Sequence, residues 1–265
     1  MFKKILITIV FVVFSIANAD KFNEPLSISI EKVDTKNKTL SFPAYDLVVG
    51  ESGFVLTKLT DYVVISAKIE IKSIENGIAT ASFSDFDTMK QKYLPTPHIL
   101  PKAGDMASFR EINNKAFLIA PDLNTYEKIK SQLKDELSLM SSDLLMGYLN
   151  DYGGFDPNAK FLKKACSVYS VGLIYIVGTN SLNVLDCQSL ALLESIPFDT
   201  SKVNKTIAPF FSRLQEIKTG SLASLFYSKK SKNYFEFYDN LIKNGFDIQK
   251  SKKAKKSPKT KESQK

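Results

Sequence analysis

Polar and apolar residues alternate from position 26 onward. Leu26, Ile28 and Ile30 share one face and Ser27, Ser29 and Glu31 the other, which is the period of a half-buried strand. Short segments rich in β-branched or aromatic residues follow at 39–42, 53–57, 62–66 and 67–73. Asn76-Gly77 then separates the apolar runs 69–74 and 78–83. That pair predicts a hairpin, because both residues tolerate positive φ. Pro95, Pro97 and Pro101 interrupt the pattern, and Ala103-Gly104-Asp105 turns the chain into a strand at 106–110. Strands at this spacing predict a small barrel or sandwich.

The period changes in the second half. Residues 116–120 read as a buried strand, and Asn124 with Glu127 resembles a capping box before a helix whose Tyr126, Ile129, Leu133 and Leu137 share a face. Ser142 or Asp143 caps a second helix through Leu149. Asp156-Pro157 opens a third, with Pro at the first helical position. A meander of strands at 169–177, 182–185 and 190–196 comes next, broken at Thr179-Asn180 and Gln188-Ser189. Tyr234, Phe237, Tyr238, Leu241 and Ile242 form a last helical face that Gly245 terminates. The predicted fold class is α+β: a β-rich, barrel-like or sandwich-like part over 20–111, then a mixed α/β part over 112–246, with no internal repeat.

Charge sharpens the picture at the two ends. Residues 1–19 carry Lys3 and Lys4, the apolar run 5–16 and the small residues Ala17, Asn18, Ala19, the zones of a secretory signal cleaved after Ala19. Twelve apolar residues at about 1.5 Å each fall short of a ~30 Å hydrocarbon core. The mature chain has no transmembrane segment by this reading, and it is exported. At the other end, residues 250–265 hold eight lysines against Glu262. Nothing there can be buried and the charges repel, so 247–265 is expected to be a disordered basic tail. The formal charge of +8, less the two leader lysines and the +7 of the tail, leaves −1 for 20–249. Only Arg110 and Arg213 are arginines. A cationic set built almost wholly of lysine lacks the planar forks favoured for reading phosphates, and export removes the usual nucleic-acid partners.

Candidate chemistry is sparse. The chain contains no GxxxxGK[ST], GxGxxG after a strand, GxSxG, HExxH or CxxC, so phosphate-loop, dinucleotide, hydrolase and zinc readings lack their minimal geometry. No catalytic residue, metal or cofactor is expected, and the protein reads as a non-enzyme. His98, the one histidine, sits in the proline-rich connection and reads as a loop residue. Asp85 with Asp87, and Asp151 with Asp156 around Gly153-Gly154, lack the ligand spacing of an EF-hand and read as turn chemistry. The aromatic and lysine-rich stretch 226–238 reads as a core face rather than a base-stacking surface. Cys166 and Cys187 are the only cysteines, and export places them where a disulfide persists. With a turn at Thr179-Asn180, however, Cys187 falls opposite Gly172 and not Cys166. A disulfide and a pair of buried free thiols both stay open on these grounds.

Taken in order, SFPAYDLVVGESGFVLTKLTDY (41–62), MKQKYLPTP (89–97), FLIAP (117–121), SSDLLMGYL (141–149), KACSVYSVGLIYIVGTNSLNVLDC (164–187), PFFSRL (209–214) and SKNYF (231–235) resemble the N-terminal domain of bacterial surface plasminogen-binding proteins. The resemblance runs from about 22 to 238. It implies an exported, non-enzymatic protein, at the cell surface or associated with the outer membrane, that captures host plasminogen. It also implies that binding uses C-terminal lysine: Lys265, with Lys261 and Lys259 beside it. Kringle modules bind lysine-like zwitterions, and a terminal lysine carries ammonium and carboxylate on one residue. Members of that group carry a longer Lys/Glu-rich extension, whereas this tail is short and almost purely basic. A tail needs no folded domain of such size. The alternative reading is therefore a periplasmic or outer-membrane-associated scaffold with envelope protein partners, as in flagellar envelope components similar to it at the level of fold alone, plasminogen binding being incidental.

Overall fold

The structure, a computed structural model, describes residues 19–86, 99–152, 156–214 and 230–244. The leader through 18, Asp87, Pro95, Pro97, His98, Gly153-Gly154, Gly245 and the tail lie outside the described residues.

Seven antiparallel strands form the first sheet: β1 (Leu26–Ser29), β2 (Lys32–Asp34), β3 (Thr39–Pro43), β4 (Ser52–Lys58), β5 (Val63–Glu75), β6 (Ile78–Ser84) and β7 (Met106–Phe109). Their order is β1-β7-β4-β5-β6-β3-β2. The two edges are consecutive in the chain. Ile30 donates its N–H to Asp105 O at 2.8 Å and Glu31 donates to Ser41 O at 2.9 Å, so one segment passes from the β7 side to the β3 side of the sheet between successive residues. The sheet thereby curls into a half-barrel with its edges tied together, which leaves little unpaired edge to template association. Alternate residues point inward, among them Leu40, Phe42, Val55, Ile69, Ile71 and Phe109. Ala67, Ala79, Ala81 and Ala107 leave room beside them for the Phe42 and Phe109 rings, 5.6 Å apart.

One detail differs from the expectation. The segments 62–66 and 67–73 belong to a single strand, β5. Val55 pairs with Ala67 and Leu56 with Ile65, so Ser66 is the extra residue of a bulge. Ser66 and Ala67 both turn inward, and that break in alternation imitates a strand end. The Asn76-Gly77 turn forms as expected, with φ of 50° and 78°.

The second sheet is mixed, in the order β12-β11-β10-β8-β9: β8 (Lys115–Ile119), β9 (Ser138–Met140), β10 (Leu173–Gly178), β11 (Ser181–Asp186) and β12 (Leu192–Pro197). β8 runs parallel to β9 and β10. Crossovers carry α1 (Leu123–Leu133), then α2 (Ser142–Tyr152) and α3 (Ala159–Tyr169); α4 (Tyr234–Asn244) packs later. The pleat sorts the core into two. Ala116, Leu118, Leu173, Tyr175 and Val177 meet Tyr126, Ile129 and Leu133 of α1. Phe117, Ile119, Ile174 and Ile176 meet Leu145, Leu149, Phe161, Leu162, Tyr234 and Tyr238 of α2, α3 and α4. β10, covered on both faces, is buried along its whole length, as a central strand of a three-layer arrangement must be.

Helix ends shift from their expected positions. Asp122, not Asn124, caps α1 by accepting from Thr125 N–H at 2.7 Å. Ser141 Oγ, one residue earlier than expected, accepts from Asp143 N–H. Asn158 caps α3 through Phe161 N–H, which puts Pro157 before the cap rather than inside the helix. Asp, Asn and Ser are comparable caps, so the exit point of the preceding strand or loop selects among them. Tyr169, expected in a strand, closes α3, and Ser170 at φ 51° turns the chain toward β10.

Candidate functional site

A polar seam joins the half-barrel to the α/β sheet. Glu51, just before β4, is 1% exposed in its side chain, and Arg110, just after β7, is 3% exposed. Arg110 Nε donates to Glu51 Oε1 at 2.7 Å and its terminal nitrogen donates to the half-exposed Asp46 at 2.8 Å. Burial raises the Glu51 pKa, against the pull of Arg110 and of the Val48 N–H. Asp46 is lowered: Arg110, through its hydrogen bond and charge, outweighs slight burial. Asp186, at the end of β11, crosses the seam. It accepts from Ser52 N–H at 3.0 Å and Ser52 Oγ at 2.8 Å on the half-barrel side. It also accepts from Gln188 N–H at 2.9 Å and Ser189 N–H at 2.8 Å on its own. Burial pushes its pKa up, opposed by those donors. Ser189 Oγ returns a bond to Gly50 O at 2.6 Å, and Asn113 Nδ2 donates to Phe22 O at 2.8 Å.

Cys166 on α3 and Cys187 after β11 are joined as a disulfide, with Cα atoms 5.8 Å apart, well inside the reach of such a bridge. Cys187 does lie opposite Gly172, whose carbonyl accepts its N–H at 2.9 Å. The bridge is made perpendicular to the sheet, from the helix above. In-plane register therefore did not forbid it.

Beside the bridge, α3 and the outer face of β4, β5 and β6 enclose a cleft of about 570 Å³. Lys160, Lys163 and Lys164 line one wall, and Lys68 with Glu70 the other. This cleft is absent from the sequence-based candidates. The spacing of its three helix lysines is visible in the chain, but the opposite wall comes from residues far away in sequence.

Of the sequence-derived candidates, Lys259, Lys261 and Lys265 lie outside the described residues. Asp156 serves as a turn clamp, holding the Lys230 and Ser231 N–H groups at 3.0 Å each. Asp85 is exposed, as is Asp151. Among the described residues no three His, Cys, Asp or Glu side chains are grouped to hold a metal, and no helix is long and apolar enough to cross a membrane. Tyr234 and Tyr238 of the aromatic stretch are core residues whose hydroxyls donate to Ile119 O and Pro209 O.

The sequence that folds into this half-barrel and three-layer α/β unit matches a known family. The family model described as plasminogen-binding protein pgbA N-terminal matches residues 25–242, and the chain belongs to that family. It is 50% identical over 240 residues to plasminogen-binding protein PgbA of Helicobacter pylori strain J99, and 49% identical over 240 residues to the protein of the same name from strain 26695. In each case 91% of this chain and 52% of the relative are covered, so the chain spans about half the length of the curated relatives it matches. No solved structure matches it significantly.

Proposed function

We propose that this protein is an exported, non-enzymatic binding protein that captures host plasminogen, and that lysines of its basic tail are the ligands for plasminogen's kringle modules. The observation carrying this reading is family membership over 25–242 with two close relatives named for plasminogen binding. Lys259, Lys261 and Lys265 supply ammonium groups on aliphatic stems. Lys265 adds the carboxylate when it ends the chain. The Cys166–Cys187 bridge supports export, since such bonds persist in oxidising compartments. Immobilised mature protein should bind plasminogen, lose binding to 6-aminohexanoate, and weaken when Lys265 is deleted. Undiminished binding after removal of 250–265 would sink the tail mechanism.

The family match covers the folded body and stops short of the tail. That supports a second role for the body as an envelope-associated scaffold with protein partners. Protease shaving of intact cells separates the two: a surface receptor is removed, while a periplasmic scaffold survives and its deletion disturbs the envelope or motility.

A further inference from the structure

We propose that the cleft between α3 and the half-barrel is a binding site for an acidic oligosaccharide, one bearing carboxylate or sulfate groups. This goes beyond plasminogen capture and uses residues of the body alone.

Charge comes first. Among the described residues, the ammonium groups of Lys160, Lys163 and Lys164 line the cleft together with Lys68 and one carboxylate, that of Glu70, and Glu70 is itself paired with Lys72. The body as a whole is nearly neutral, so this is a local concentration of positive potential in a concave site, where fields are focused. Lys160, Lys163 and Lys164 are exposed and enter no ion pair among the described residues. Their i, i+3, i+4 spacing keeps them on one face of α3. Three like charges left together without partners cost stability, which an anionic ligand recovers.

The remaining lining selects among anions. Ser82 and Ser84 of β6 present hydroxyls to the cleft on the outer face of the sheet, while those of Ser52 and Ser189 are taken by Asp186 and Gly50 O. A hydroxyl both donates and accepts, which suits a polyhydroxylated partner. Gln188 also lines the cleft, and its Nε2 is buried without an acceptor among the described residues. Phe54 and Tyr152 provide aromatic surface against which the apolar face of a pyranose ring is shielded from water. Neither arginine lines the cleft, so the planar fork that favours compact phosphate is missing and point charges remain. The volume of about 570 Å³ falls within the range of sites that enclose a small ligand. Cys166 adjoins Ser167 and Cys187 adjoins Gln188, so the disulfide holds the helix wall to the floor of the cleft.

The test uses the full mature chain with a heparin hexasaccharide as the sulfated probe, trigalacturonate as the carboxylated probe, and maltohexaose as the neutral control. Because the tail is also basic, two variants are compared. In one, Lys160→Gln, Lys163→Gln and Lys164→Gln are combined; in the other, the lysines of 250–265 are replaced by Gln. Calorimetry should show binding of both acidic probes and none of the neutral one. The helix variant should lose about tenfold or more in affinity, with a thermal midpoint no lower than that of the parent, and the tail variant much less. Hydrogen exchange on the tail variant should show probe-dependent protection in α3 and β6. Affinity lost only with the tail, equal binding of the helix variant, or tripolyphosphate bound as tightly as the saccharides would each overturn the proposal.

Discussion

Arg110 is the residue on which the seam turns. It sits at φ 65°, an unfavourable backbone for a long side chain, and is held there by Glu51, Asp46 and the ring of Phe22, whose centroid lies 5.8 Å from the guanidinium carbon. Removing one partner of a buried ion pair leaves the other charged and unpaired, so Arg110→Met should destabilise the protein by about 3–5 kcal/mol. Adding Glu51→Leu should recover most of that loss in urea denaturation. A pH signature accompanies it. Glu51 has a folded-state pKa above its ordinary 4.5, so its contribution to stability is fully present below 4.5 and is lost as pH rises through the raised value. The stability of the native protein relative to Glu51→Gln should therefore fall as pH rises above about 4.5; a relative gain on that side contradicts the assignment. Neither Glu51 nor Arg110 is conspicuous in the chain, because 59 positions separate them and no local pattern marks a buried charge.

At the level of elements, the disulfide fastens α3 to the end of β11 across a separation of 21 residues. Closing a loop of that length contributes about 3 kcal/mol through the unfolded state. Replacing both cysteines by serine should lower the unfolding free energy by roughly that amount, read by chemical denaturation; an unchanged midpoint would show the bridge to be structurally idle. Elements themselves were largely legible, since strand alternation and helical stripes are set by near neighbours. β9, only three residues long, has too short a run to show a period. Ser66 shows the other limit. A bulge turns two successive residues inward, and a reader of alternation sees an end where the strand continues.

Across the whole molecule, the half-barrel and the α/β sheet are coupled by backbone approach as well as by polar bonds. Gly50, at φ 90°, lies so close to Ala191 that a Cβ placed there falls inside contact distance of the Ala191 side chain. Gly50→Val should force the two parts off one another at a cost of about 1–3 kcal/mol. Hydrogen exchange should then report earlier opening of β4 and β12 than of β10; uniform protection would mean that the seam does not couple the halves. Hydrophobic periodicity, turn chemistry, the charged ends and the family resemblance are read from neighbouring residues or continuous segments, so the chain by itself determined the α+β class, the hairpin at Asn76-Gly77, the core stripes and the neutrality of the body. The closing of the half-barrel by 26–34, the bridge from helix to sheet, the Arg110–Glu51 pair and the basic cleft each join residues distant in sequence. Only tertiary packing decided these, because the free energy that selects such contacts belongs to the assembled core and to no local segment.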